Sequence, residues 1–283
     1  MRKTLTIALA AVIACGEACA IEALVYRQVS RRTLTDALGK QTSEELHQKL
    51  YATRKALRTE TDELNVVSIV RLDEMTIYQY DPGRRIFAAA SVGELLKKVQ
   101  AYKDALRSAY PDMPRDKQER LAVVLGKVRP RVRAQVEARD VIICGYPTRK
   151  VAFIENGRLR MELWLTDAFE SETDATELLK ATGEFSDALL RLRERERGFA
   201  LKSRVHPLLG IHPAVENEVT EIMRVPVPDE LFRVPEGYRR VESLEESTRR
   251  TDAPAPAGDG AEGEGTPVVP GTGSGLDFVP LPR

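Results

Sequence analysis

Leu159, Met161, Leu163 and Leu165 alternate with Arg158, Arg160, Glu162, Trp164 and Thr166, the two-residue rhythm of a strand with one oily and one wet face. Asn156-Gly157 stands just before them and supplies the two positive-φ positions of a type I′ turn. The chain on either side therefore folds into a hairpin. Closing it on two residues sets Glu155 opposite Arg158, Phe153 opposite Arg160 and Arg149 opposite Trp164 on the wet face, and adds Ala152 and Ile154 to the Leu/Met row. With the ascending strand from Val132 to Ile143, the stretch 132–166 specifies an antiparallel sheet whose oily face needs a cover.

The same reading places strands along most of the chain. Residues 21–30 form a first strand, and a polar segment follows through Gly39 and Ser43. Residues 48–61 and 64–72 read as a hairpin turning near Asp62-Glu63. Asp81-Pro82-Gly83-Arg84 has Pro at i+1 and Gly at i+2, as a type II turn prefers. The period then changes to that of helices. Ser91 and Glu94 make a capping box, and Val92, Leu95, Leu96, Val99, Tyr102, Leu106 and Tyr110 form one helical stripe. A second helix carries Leu121, Val124, Leu125 and Val128 and ends before Pro130. A third, opened by Asp167 to Ser171, carries Leu178, Leu179, Phe185, Leu189 and Leu192, and Gly198 stops it. Two closing strands lie on either side of His206. One-faced helices beside a one-faced sheet predict an α+β layer arrangement.

The N-terminus reads as an export signal: Arg2-Lys3, an apolar run from Leu5 to Cys15, then Ala18-Cys19-Ala20. Residues 1–20 would be removed before Ile21, or, by the competing lipobox Val12-Ile13-Ala14-Cys15, Cys15 would become the lipidated first residue. Either route predicts a periplasmic or outer-membrane-associated product with no membrane span in the mature chain, because the run is too short to cross a bilayer. Cleavage before Ile21 leaves Cys144 as the one cysteine, so the fold rests on its core and not on a disulfide. Residues 21–245 are long enough for one domain with a large core. Residues 246–283, rich in Pro, Gly and Ala, read as a disordered tail. A formal net charge of zero carries no electrostatic footprint of nucleic-acid binding.

Taken in order, the strand into Ile143-Cys-Gly-Tyr146, the basic Thr148-Arg149-Lys150, the Asn-Gly hairpin, Glu162-x-Trp164-x-Thr166 and Leu231-Phe232-x-x-Pro235-x-Gly237-Tyr238 resemble an exported bacterial family that bears a domain-of-unknown-function label and is related to LolA- and LppX-like lipoprotein carriers. The resemblance covers about Ile21 to Val241. It implies a strongly curved antiparallel sheet, an incomplete barrel, with helices on the concave side and, in carrier relatives, acyl chains in the space between. The helical insertion at 92–128 departs from that pattern and is placed to fill the space.

Candidate chemistry is sparse. His47, His206 and His212 have no acid-rich company to make a metal site. No G-x-S-x-G elbow, P-loop, H-E-x-x-H or C-x-x-C occurs, and Gly273-Ser274-Gly275 lies in the tail. The expectation is a protein that is no enzyme and needs no metal or cofactor. Val66, Ile77, Leu159, Met161 and Leu163 are the candidate cavity lining. Tyr146, Trp164, Phe232 and Tyr238 are the structural anchors, with Trp164, Tyr146 and Tyr238 expected to cluster. Three functions follow: a carrier holding a lipid or lipoprotein acyl chain, an envelope interaction or structural protein with a filled core and a partner held through its tail, and an uncharacterised hydrolase.

Overall fold

The computed structural model describes residues 20–35, 41–170, 176–208 and 213–244. Residues 1–19, which hold most of the stretch read as an export signal and include Cys15, lie outside the described residues, as do His212 and residues 245–283. Twelve strands form one sheet: β1 (Ala20–Thr35), β2 (Gln41–Ala52), β3 (Ala56–Thr61), β4 (Val66–Arg71), β5 (Thr76–Asp81), β6 (Ile86–Ser91), β7 (Val132–Ile143), β8 (Tyr146–Glu155), β9 (Arg158–Thr166), β10 (Phe199–Val205), β11 (Ala214–Pro228) and β12 (Arg239–Arg240). Their spatial order is β12-β6-β5-β4-β3-β2-β1-β11-β10-β9-β8-β7. Every pairing is antiparallel except β12 on β6. The ends β12 and β7 do not meet, so the sheet stays open and is not closed into a barrel.

Local chemistry explains several departures from the expected boundaries. The segment 48–61 is not one strand. Thr53 breaks it, its Oγ1 accepting from the amides of Lys55 and Ala56, so β2 ends at Ala52 and a tight turn leads into β3. From there strands begin every ten residues, at Ala56, Val66, Thr76 and Ile86. Each of the loops between them closes on a left-handed residue, Asn65, Met75 and Arg85. The Asp81 turn is thus not type II: Arg85, and not Gly83, takes the positive φ, while the Asp81 carboxylate accepts from Arg84 N. The expected third helix is two, α3 (Thr176–Thr182) and α4 (Asp187–Arg195), divided where Gly183 adopts φ +69° and Ser186 caps the amide of Leu189. A Cβ on Gly183 would sit 2.2 Å from Val99 Cγ1, so the glycine lets α1 (Val92–Ala109) approach α3 closely. The second insertion helix, α2 (Arg115–Leu121), stops short of Pro130.

Helices α1, α3 and α4 pack on the sheet, whereas α2 and the turn after it pack on α1 through Leu121, Val124 and Leu125 against Tyr102, Leu106 and Tyr110. Val92 and Leu95 of α1 and Leu178 and Ala181 of α3 pack on Leu24, Tyr26, Leu50, Leu57, Val70 and Ile77. Leu179, Phe185, Leu189 and Leu190 pack on Val151, Phe153, Met161, Leu163 and Leu165. On the opposite face of β1–β6, the segment after β11 lays Phe232, Leu231, Val234 and Tyr238 across Val25, Tyr51, Val67, Ile69 and Tyr80. That strap is held at its backbone by Arg58, whose Nη1 donates to Leu231 O at 2.9 Å.

The central hairpin turns at Asn156 (φ 48°) and Gly157 (φ 78°) with Glu155 opposite Arg158, as the pattern required. One step on, the register shifts: Ile154 pairs with Leu159 and Phe153 with Met161, leaving Arg160 as the extra residue of a bulge. Arg149 consequently faces Leu165 and Lys150 faces Trp164. Phe153 therefore joins the core, and Arg160, expected on the wet face, is wholly buried. Its guanidinium pairs with the equally buried Glu155, donates to Glu184 O at 2.6 Å and to His206 O at 3.2 Å, and lies over the Phe185 ring. Removing one partner of a buried pair strands the other charge in a poor solvent, which costs about 3–5 kcal/mol. Arg160→Met is expected to lower unfolding stability in urea by that order; a loss below about 1 kcal/mol would show that the site relaxes or hydrates around Glu155.

Candidate functional site

The open face of β2-β1-β11-β10-β9-β8-β7 carries the densest chemistry in the molecule. On strands, alternate residues share a face, and here the polar alternates oppose one another with opposite sign. Glu45 of β2 meets Arg31 of β1 at 2.8 Å, and Arg31 approaches Glu216 of β11 at 3.7 Å. Glu216 accepts from Arg204 Nε of β10 at 2.8 Å, and Arg204 reaches Glu162 of β9 at 3.4 Å. Glu162 binds Lys150 of β8 at 2.6 Å, and Lys150 binds Glu137 of β7 at 2.7 Å. Seven adjacent strands are thereby spanned by a ladder that alternates acid and base at every step.

Trp164 lies along this ladder. The ammonium groups of Lys150 and Lys202 sit 5.0 and 5.6 Å from its ring centroid, a placement favoured by the negative ring face. Lys202 also bonds Glu218 at 2.7 Å and Glu216 at 3.1 Å. Within Glu162-x-Trp164-x-Thr166 the acid is the ladder's node, the indole is its platform, and Thr166 is a buried turn-former that accepts from Ala168 N at 3.3 Å. Burial alone would raise the Glu162 carboxyl, but hydrogen bonds from Lys150 and His206 outweigh it and hold it below the ordinary value. At Glu216 burial acts the same way and is outweighed by Arg204 and Lys202. Lys150 is raised, first by Glu137 and then by Glu162.

The remaining basic motif residues are tied down too. Thr148 Oγ1 donates to Val141 O at 2.7 Å across the bulged β7–β8 pair, and Arg149 binds Glu196 at 2.6 Å. His206 Nε2 lies 3.4 Å from Glu162, and His47 Nδ1 lies 2.6 Å from Glu63, so both histidines belong to ion-pair chains. Cys144 takes a left-handed conformation in the β7–β8 turn, and burial pushes its thiol up, away from the reactive thiolate. Among the described residues no group of three or more His, Cys, Asp or Glu could hold a metal ion, and no helix is long and apolar enough to cross a membrane.

The five residues expected to line a cavity are dispersed. Met161 and Leu163 are buried in the cluster under α3 and α4, and Ile77 in the one under α1 and α3. Leu159 is exposed and Val66 half-buried. Two surface grooves, of 710 and 790 Å³, include none of them. The aromatic anchors also separate. Tyr146 stacks edgewise on Phe169, which continues to Phe199 and Tyr26. Tyr238 packs on Tyr80 at 5.3 Å beside the buried Phe232 of the strap, across the sheet, and Trp164 stands on the ladder. They do not cluster, because the chain after β11 crosses to the other half of the sheet. The ladder itself was open to sequence reasoning: Lys202-Ser203-Arg204 and Glu216-Asn217-Glu218 are alternating strands of opposite charge.

Residues 139–238, which carry the ladder from β8 to β11, match the model of a domain of unknown function, DUF4412. No curated protein matches the chain in sequence. Among solved structures the chain is similar to an uncharacterized conserved protein from Thermus thermophilus, with a TM-score of 0.38 and 13% identity over 76% of this chain and 88% of that one. It is similar to PNGF-II (TM-score 0.33, 11% identity, 81% of this chain and 33% of that one) and to MucB (0.31, 13%, 77% and 59%). At these scores a common fold does not follow.

Because Glu162 and Glu216 titrate below the usual carboxylate value of 4.5, their contribution to stability is complete above that value and is lost as pH falls through their depressed folded values. Glu162→Gln is expected to be less stable than the parent at about pH 7 and to show a smaller deficit at about pH 3, below the usual carboxylate value, where the carboxyl's contribution is being lost. Urea titrations at both pH values test this; a deficit that persists undiminished at low pH would place the loss in packing instead of charge.

Proposed function

We propose that this chain is an exported, non-catalytic protein of the cell envelope that acts by binding another protein at its surface, its apolar interior serving as core and not as a lipid chamber. The observation that carries the reading is the filling of the helix-covered face. Of the five residues expected to line an acyl-chain cavity, Ile77, Met161 and Leu163 are each no more than 4% exposed and lie in clusters with Val92, Leu95, Leu178, Leu179 or Leu189, while Val66 is half-buried and Leu159 exposed outside those clusters. The open face supports it from the other side. Its acids are neutralised by neighbouring cations, and a general base or nucleophile needs a free, activated group within reach of a substrate. The envelope assignment rests on the Arg2-Lys3 and Leu5–Cys15 export pattern.

The test is native mass spectrometry of protein purified from envelopes after expression with its own N-terminal segment, compared with the denatured mass. The expected result is a denatured chain that begins at Ile21 and a native species with no additional lipid-sized mass. A lipid-sized increment in the native species alone would return the carrier reading to first place. A denatured chain beginning at Cys15 with acyl groups would make lipid the anchor and leave the surface reading intact.

A further inference from the structure

The outer edge of β6 combines three features. The first is an interrupted strand pairing. β12 runs parallel to β6 for two residues, with Arg239 N donating to Arg85 O at 2.9 Å and Val241 N to Phe87 O at 2.8 Å. Those bonds show that residues 85 and 87 turn their backbone outward, and strand alternation turns Ala89 outward as well. The N–H of Ser91, next in that series, is taken by the Glu94 carboxylate of the capping box. Among the described residues no backbone bond reaches Ala89 from beyond Val241. The second feature is room. A groove of 710 Å³ opens at this point, floored by Ala89 and Ala90, walled by Leu95 and closed at one end by Val241. Ala88, Ala89 and Ala90 present only methyl groups, so a second backbone can come to hydrogen-bonding distance.

The third feature is charge. Lys97, Lys98 and Arg240 border the groove, and none makes an ion pair among the described residues, in a molecule whose open face pairs its charges across seven strands. The lining sets two acids, Glu94 and Glu242, against these three cations; the Glu94 carboxyl is held low by its bond from Ser91 N and by Lys98 and Lys97, and the groove keeps an excess of one positive charge. Unpaired edge backbone is a template for strand addition, and unpaired cations beside it select carboxylates.

We propose that the β6 edge from Ala88 to Ser91 is a strand-addition site that takes an extended, carboxylate-bearing peptide from a partner protein, running parallel to β6 in continuation of β12. The inference rests on the surface-binding function above and names where and by what chemistry that binding occurs. Backbone bonds to Ala89 supply the register, and Lys97, Lys98 and Arg240 supply the preference for acid.

The probe is a labelled peptide of about seven residues with alternating valine and glutamate, set against its lysine counterpart, with the full chain at low salt. The acidic peptide is expected to bind, to slow hydrogen exchange at the Ala89 amide, and to bind about tenfold more weakly to Lys97→Glu/Lys98→Glu. Ala89→Pro, which removes the amide donor, is expected to abolish binding while circular dichroism stays unchanged. Equal binding of both peptides, binding indifferent to these substitutions, or no protection at Ala89 would overturn the proposal. Protection of Ala89 in the chain alone would also overturn it: if independent of concentration, the occupant is the chain's own terminal segment, and if dependent on it, a second copy. None of these results adds a lipid-sized mass to the native species, so failure of this site and failure of the surface-binding function are told apart.

Discussion

The Arg160–Glu155 pair is the point at which the second half of the sheet is locked to its helices. One guanidinium reaches four places: the hairpin's own Glu155, the α3–α4 junction at Glu184 O, the end of β10 at His206 O, and the Phe185 ring. Glu155 in turn accepts from Ser186 Oγ, the residue that caps α4. A fully desolvated charge tolerates few arrangements, since each unmet donor costs free energy in a medium that cannot hydrate it. The pair therefore does more than add stability. It specifies which hairpin bulge, which helix start and which strand end belong together.

Around that lock the two faces of the sheet are handled by different physics. The helix-covered face excludes water with leucine, valine and aromatic side chains, and the Phe232–Tyr238 strap does the same for the far side of β1–β6. The open face of the seven ladder strands, from β2 and β1 across to β7, keeps its solvent exposure and is organised by charge. Single exposed ion pairs contribute little, but here each interior member serves two partners, so the conformational entropy lost in ordering one side chain is shared between contacts. Such a ladder also disfavours a slipped strand, because moving any one strand by a residue would turn its charges to the other face and leave its neighbours unpaired.

The domain-of-unknown-function match spans the locked hairpin, the ladder from β8 to β11 and the strap. It leaves out β1, the β2–β6 meander with the α1–α2 insertion, the first half of β7, and β12. The free cations and open edge at β6 lie in that part, and the self-neutralised lattice lies mainly in the matched part.

By itself the sequence determined what short-range physics controls. The strand at 158–166, the left-handed pair Asn156-Gly157, the Ser91–Glu94 capping box and the helix opening at Val92 all appear where their patterns put them, because turn dihedrals, caps and local backbone preference depend on neighbours a few residues away. Tertiary structure decided the rest. The bulge that buries Arg160 was invisible, since an arginine in an alternating strand reads as solvent-facing until a distant Glu184 carbonyl and His206 carbonyl are there to receive it. The dispersal of Val66, Ile77, Leu159, Met161 and Leu163 followed from α1 and α3 seating in the space they were to line, and the separation of Tyr238 from Trp164 followed from the chain after β11 crossing the sheet. Contacts between residues 24 to 173 positions apart, such as Arg160 to Glu184 and Arg58 to Leu231, leave no periodic trace in a sequence, and they fixed which charges were buried, which were paired and which were left free.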